Sequence, residues 1–271
     1  LINGSALVIS STSVSDATNL DTSSAHSESV VDYVYDDNGD LVSGRGRVES
    51  SSDDGNGNVT ESVVTQEYAS VLNKAKLFTS TTLSESQNRD GSSSHAETTV
   101  TYTYDTAGKV SGATGVGTSD SDDGFGNRTT SSVSQAYIVI NNQAQLLEST
   151  TESRRHDKDG SSSDSRSVMT YSYDQVNGRL LSAVSVNDST SDDGFSNVTV
   201  GRSQQDYTNI TGQARLIRAE SVNETVNRDG SSSSGNTVTT YIYDTNGILT
   251  GASGQGTSHA DDGYGNVTDG T

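Results

Sequence analysis

Between Thr99 and Tyr104 the chain alternates Thr-Val-Thr-Tyr-Thr-Tyr, which puts Val100, Tyr102 and Tyr104 on one face of a strand and three threonines on the other. Val133-Ser134-Gln135-Ala136-Tyr137-Ile138-Val139 carries apolar mass on both faces. Clusters of Asp, Asn and Gly interrupt such segments: 105–108, 122–127, 141–144 and 157–160. These residue types tolerate positive φ and bond back to the local backbone, so the clusters read as turns. They recur about every 17 residues and leave strands of roughly 12 residues, about 40 Å long. Even spacing with short loops predicts an antiparallel meander, and the wealth of Thr, Ser, Val and Tyr argues against helix.

The pattern is itself periodic. Tyr33-Val34-Tyr35-Asp36 returns at 102–105, 171–174 and 241–244, so the aspartates at 36, 105, 174 and 244 are 69, 69 and 70 residues apart. The predicted fold is therefore all-β: a tandem array of about 69 residues per repeat and four strands per repeat, as an antiparallel meander, ribbon or solenoid-like extended array. The whole of 1–271 reads as one array, with copies at 36–104, 105–173 and 174–243 and partial copies at 1–35 and 244–271. Ile2-Asn3-Gly4-Ser5-Ala6 matches Ile210-Thr211-Gly212-Gln213-Ala214, so the chain opens and closes in mid-unit. Two explanations are open: a piece of a longer array, or a subunit whose unpaired strand edges recruit the next subunit. A closed four-bladed propeller is a further topology, with oversized blades and polar hubs.

Gln66, Gln135 and Gln205 share one phase of the repeat, and Tyr68, Tyr137 and Tyr207 another. Stacked copies would turn these into ladders of like side chains.

Tyr102-Thr103-Tyr104-Asp105-Thr106-Ala107-Gly108-Lys109-Val110 resembles the YD repeat of bacterial Rhs proteins and animal teneurins, with its Tyr-x-Tyr-Asp-x-x-Gly-basic-aliphatic pattern. Tyr241-Ile242-Tyr243-Asp244-Thr245-Asn246-Gly247-Ile248-Leu249 is similar, with Ile248 at the basic position. The resemblance covers about nine residues of each unit and implies β-hairpins in a continuous sheet and a cell-surface setting. No protease, core or toxin segment accompanies it.

Composition narrows the function. With 36 acidic and 16 basic residues the net charge is −20, so nucleic-acid phosphates would be repelled. Cysteine is absent, which removes disulfides and thiolate metal sites. No stretch approaches the roughly 20 apolar residues of a membrane-spanning helix, and no signal peptide is evident at the start. Only 29% of residues are hydrophobic, a proportion that with this charge would suit disorder. Disorder, however, has no reason to hold Tyr, Gly and Asp in register over four copies. A thin β-structure reconciles the two, and the absence of Pro suits strands paired on both sides.

Four features could carry chemistry. The acidic turns, with Asp53-Asp54, Asp122-Asp123, Asp192-Asp193 and Asp261-Asp262, offer oxygen ligands for calcium, or are plain Asx/Gly turns. Asn58, Asn127, Asn197 and Asn266 each begin an Asn-x-Thr sequon, for glycosylation or for ending the turn. Histidines share no phase beyond His26 and His95, and no nucleophile elbow is present, so no enzyme is expected. Thr99, Thr101 and Thr103 suggest an ice-binding row, but Ser167, Met169 and Ser172 do not continue it.

The resulting expectation is an extracellular or cell-surface structural protein that self-associates into a fibre, stalk or sheath. The alternative is an adhesin or binding module with a glycan or other surface ligand. No cofactor is required, calcium is the candidate ion, and neither nucleic acid nor membrane insertion is foreseen.

Overall fold

A computed structural model describes residues 6–271; the expected match at Ile2–Ser5 lies outside the described residues. The protein is all-β; the described residues hold no helix, and their sixteen antiparallel strands form an open meander in which strand order is chain order.

The chain divides into two compact units. One runs to Ser134 and includes Asn142–Ala144; the other holds Gln135–Asn141 and Gln145–Thr271. The first contains β1 (Ser10–Thr18), β2 (Ser24–Tyr35), β3 (Leu41–Asp53), β4 (Val59–Val71), β5 (Lys74–Gln87), β6 (Ser93–Tyr104) and β7 (Val110–Asp122). The chain passes into the second along β8 (Arg128–Ile140) and β9 (Gln143–His156). There follow β10 (Ser162–Tyr173), β11 (Leu180–Asp192), β12 (Val198–Ile210), β13 (Gln213–Val226), β14 (Ser232–Tyr243), β15 (Leu249–Asp261) and β16 (Val267–Gly270). Each full copy therefore supplies four strands, β3–β6 in 36–104 and β11–β14 in 174–243, as the turn spacing predicts.

The extra residue of the last full step sits in a turn. The Tyr-Asp hairpins close as three-residue loops: Asp105 N–H donates to Lys109 O, and Gly108 N–H to Asp105 O. Such a loop is a type I turn followed by a left-handed residue, here Gly108 at φ 72°. In the third copy Asp174 N–H instead donates to Arg179 O and Gly178 N–H to Asp174 O, one residue longer. The insertion is absorbed in the loop and leaves the strands unchanged.

Two-residue loops close β4/β5 and β12/β13, with Leu72 and Asn73 at φ 52° and 59° and Thr211 and Gly212 at φ 53° and 86°. Both central residues are left-handed, the type I′ geometry that matches strand twist.

There is no thick core. Ala113, Ile140 and Ala183 are the buried hydrophobic residues among those described, and no polar side chain is buried. Small residues lie between tyrosines in place of a core. Gly44 pairs with Tyr33 and Tyr68, and Ala183 with Tyr171 and Tyr207. Ala113 pairs with Tyr102. A Cβ built on Gly44 would lie 3.1 Å from Tyr33 Cδ1, so the ring covers the glycine and shields its backbone.

Six register shifts among the described ladders fall beside a tyrosine. Bulges lie between Val34 and Tyr35, Thr103 and Tyr104, Ser172 and Tyr173, and Ile242 and Tyr243, with two more beside Tyr68 and Tyr207. Beyond the last paired residues of β5 and β6, Tyr104 reaches across and donates its hydroxyl to Leu77 O at 2.6 Å. Tyr173 does the same to Leu146 O at 2.8 Å. The side chain takes over where the backbone ladder ends.

The expected ladders of like side chains do not form. β4 has β3 and β5 as neighbours, so Tyr68 faces Gly44 and Leu77, and Gln66 faces Gly46 and Ser80. Tyr207 likewise faces Ala183 and Leu216, and Gln205 faces Ser185 and Ala219. A meander places successive strands side by side, so equivalent residues of successive repeats never become neighbours. Instead each tyrosine bonds within its own strand: Tyr68, Tyr137 and Tyr207 donate to Gln66, Gln135 and Gln205 at 2.8, 2.9 and 2.7 Å.

Residues opposite one another in a ladder share a face, and neighbours along a strand alternate. Register therefore sorts the charges. Cross-strand pairs Arg202–Asp188, Arg166–Glu152 and Arg154–Asp164 lie on one face of the second unit. In the first unit His26–Asp16 and His95–Glu85 share the face that also carries Arg45, Arg47, Glu49 and Glu61.

Candidate functional site

The residues singled out for chemistry gather in the loops joining the strands. In the β3/β4 loop Asp53 and Asp54 are engaged by their own turn. Asp53 Oδ1 accepts from Gly55 N–H at 2.8 Å. Asp54 accepts from the amides of Asn56 and Asn58 at 2.8 and 3.2 Å and from Asn58 Nδ2 at 2.6 Å. The arrangement recurs. Asp122 and Asp192 accept from Gly124 and Gly194, and Asp261 from Gly263, each at 2.8 Å. Asp123 receives Phe125 and Asn127, Asp193 receives Phe195 and Asn197, and Asp262 receives Tyr264 and Asn266.

The bonds to Asp54, Asp193 and Asp262 favour the ionised form. Asp54 is held below the usual carboxylate range, chiefly by the Asn56 amide and then by the Asn58 side chain. Asp193 and Asp262 are lowered in the same sense, first by the Asn197 and Asn266 side chains. The carboxylates thus serve as acceptors for turn donors, and among the described residues no group of three or more His, Asp or Glu could hold a metal ion.

The sequon asparagines are structural connectors. Asn58 Nδ2 donates to Asp54, while its Oδ1 accepts the Arg89 backbone N–H of the β5/β6 loop at 3.0 Å. Asn197 repeats both bonds, to Asp193 at 2.6 Å and from Arg228 at 3.0 Å. Asn127 and Asn266 donate to Asp123 and Asp262 at 2.6 and 2.5 Å. The nitrogen that would carry a glycan is therefore already engaged in the loop.

Adjacent loops also pack on their other side. A Cβ on Gly124 would lie 2.7 Å from Asp90 O and 2.9 Å from Gly91 C, so only glycine permits this approach, quite apart from its φ of 80°. Gly194 meets the 157–161 loop in the same way. At the opposite strand ends, Asn73 Nδ2 donates to Asp40 at 2.7 Å, and Asn142 Oδ1 accepts Val110 N–H at 2.7 Å. Neighbouring hairpins are thus latched at both ends by asparagine. In the sequence Asn58 and Asn197 read as turn ends or glycan acceptors; their second bond spans 31 residues, which spacing alone does not reveal.

A further feature escapes the sequence reading. Phe125, Phe195 and Tyr264 stand at the tips of the acidic loops, 72%, 67% and 85% exposed. Their backbone amides are fixed by Asp123, Asp193 and Asp262, so the loops display aromatic rings on a held frame.

No protein-family model matches the chain, and no curated protein matches it in sequence. Among solved structures, a porin-like protein from Bacteroides uniformis ATCC 8492 is similar over 96% of this chain and 93% of that chain, at 17% identity and a TM-score of 0.20.

Proposed function

We propose that this chain belongs to an extracellular structural protein whose repeats build a fibre, stalk or sheath by self-association. The observation that carries this reading is the latching of neighbouring hairpins within each unit, in which Asn58 and Asn197 bond the loop that follows and Gly124 and Gly194 pack on the loop before. Such connectivity lets an array lengthen by whole repeats without a new core, because each addition brings its own ladders and latches. Side chains here tie strand to strand, and the reading assigns no catalytic role to any of them. Electron microscopy of the purified chain at low micromolar concentration tests it. Filaments with a period commensurate with the 69-residue unit support the reading, and uniformly single particles under these conditions oppose it.

One observation favours a second reading, a surface-binding module: the exposed rings of Phe125, Phe195 and Tyr264. Rigid aromatic groups stack on sugar faces and anchor interfaces. Loss of binding to polysaccharide-coated beads in the Phe195→Ser, Tyr264→Ser double variant, with thermal stability retained, would favour this module.

A further inference from the structure

Among the described, ladder-paired residues, the face opposite the charged one is free of charge in the first unit and nearly so in the second. In the first unit, register places Ser15, Ser27, Ser50, Ser62, Ser84 and Ala96 in one row across β1–β6. Parallel to it run Ser13, Ser29, Val48, Val64, Thr82 and Thr98. Among the described, ladder-paired residues of β1–β7, this face carries no Asp, Glu, Lys, Arg or His. In the second unit Met169, Ser185, Gln205, Ala219 and Thr239 form the corresponding kind of row. There Arg155 is the sole charged residue on the face across β9–β16, at a strand end and turned to Asp157 at 2.7 Å.

In a chain of net charge −20, such sorting is a strong constraint. Two copies meeting through charged faces would bring like charge together and bury carboxylates, both unfavourable. Through the neutral face they would meet only hydroxyls, methyls, amides and tyrosine rings. We infer that this face is a docking surface for a second copy of the same chain, sheet against sheet, with the charged faces outward. The inference deepens the self-association reading above and rests on it.

The area suffices. Seven strands about 4.8 Å apart and roughly 35–40 Å long present about 1,000 Å² in the first unit alone. A stable interface needs about 800 Å² from each partner. Serine, alanine and glycine let two sheets approach closely, and an isologous pairing satisfies both copies with one surface.

The test is sedimentation equilibrium on the full chain, across salt concentrations, for the wild type and three variants. Ser27→Asp with Ser62→Asp puts two carboxylates on the neutral face without making them direct neighbours; Ser27→Lys with Ser62→Lys does so with opposite sign. Thr65→Asp adds charge to the other face, between Arg47 and Thr81. The expected result is a wild-type dimer or larger species whose affinity rises with salt, because salt screens the repulsion between copies. Both serine double variants should weaken association at least tenfold, with the β-sheet circular dichroism signal retained, while Thr65→Asp should not. A monomeric wild type overturns the inference, as does association that survives both double variants or weakens with salt. If microscopy shows filaments that persist in the double variants, the structural reading stands and the neutral-face interface fails. If the wild type forms neither filaments nor dimers, both fail.

Discussion

Asn58 and Arg89 belong to different hairpins, yet the Asn58 carboxamide accepts the Arg89 backbone N–H at 3.0 Å while donating to Asp54 at 2.6 Å. One side chain thus closes its own loop and fastens the next. Asn197→Ala, which removes the equivalent pair of bonds, should destabilise the protein by about 1–2 kcal/mol. Asn187→Ala, within β11, should cost less. Thermal or urea unfolding of the two variants checks this, and equal effects would remove the latch from the account.

Thr22 closes the β1/β2 loop at φ 70°, where the equivalent Gly91, Gly160 and Gly230 sit at 86°, 92° and 87°. A β-branched residue in the left-handed region carries a penalty of about 1–2 kcal/mol. Thr22→Gly should therefore raise stability by roughly 1 kcal/mol, read as greater hydrogen-exchange protection in β1 and β2. Leu72→Asn, at φ 52° in a type I′ loop, should act in the same direction for β4 and β5.

The loop aspartates set the pH response. Asp21, Asp90, Asp159 and Asp229 are held below the ordinary range by neighbouring serines, and Asp36 and Asp174 by loop backbone amides. A carboxyl whose folded pKa is depressed contributes stability that is complete above its unfolded value, near 3.8, and is lost as pH falls through the folded value. His26 works oppositely: its pKa is raised by Asp16, so its contribution is present below about 6.5 and fades above. The melting temperature should hold between pH 7 and 5 and drop below pH 4. A rise on acidification below pH 4 would mean that relief of net repulsion outweighs the loops.

Calcium should do little. Asp54 already accepts donors on both carboxylate oxygens, and among the described residues no group of three or more His, Asp or Glu gathers around an ion-sized site. Millimolar calcium is expected to shift the melting temperature by less than about 2 °C, whereas tight binding to the native state would add several degrees.

Tyr104→Phe deletes the 2.6 Å bond to Leu77 O and should cost about 1 kcal/mol, more than Tyr102→Phe. Denaturant titration compares the two.

Strand number, turn positions and the four-strand repeat were legible because alternation and turn chemistry are local: Tyr102 and Tyr104 announce their face, and Asp105 with Gly108 announces the loop. The partners of Tyr68 and Gln66 were not legible, since phase shows which residues are equivalent but not which strands adjoin. The same gap hid the bond from Asn58 to Arg89. The charge-free face was present in the alternation of β2 and β4, but it emerges only once register aligns Ser27, Ser50 and Ser62.

A meander in which strands pair in chain order also has a kinetic meaning. Every native ladder closes over a short span, such as Tyr104 to Val110, so the search entropy for each step is small and contact order is low for an all-β protein. During synthesis each hairpin can close as soon as it leaves the ribosome, on the newest edge of what has already formed. Such a chain, however many repeats it carries, would take little longer to fold than to be made.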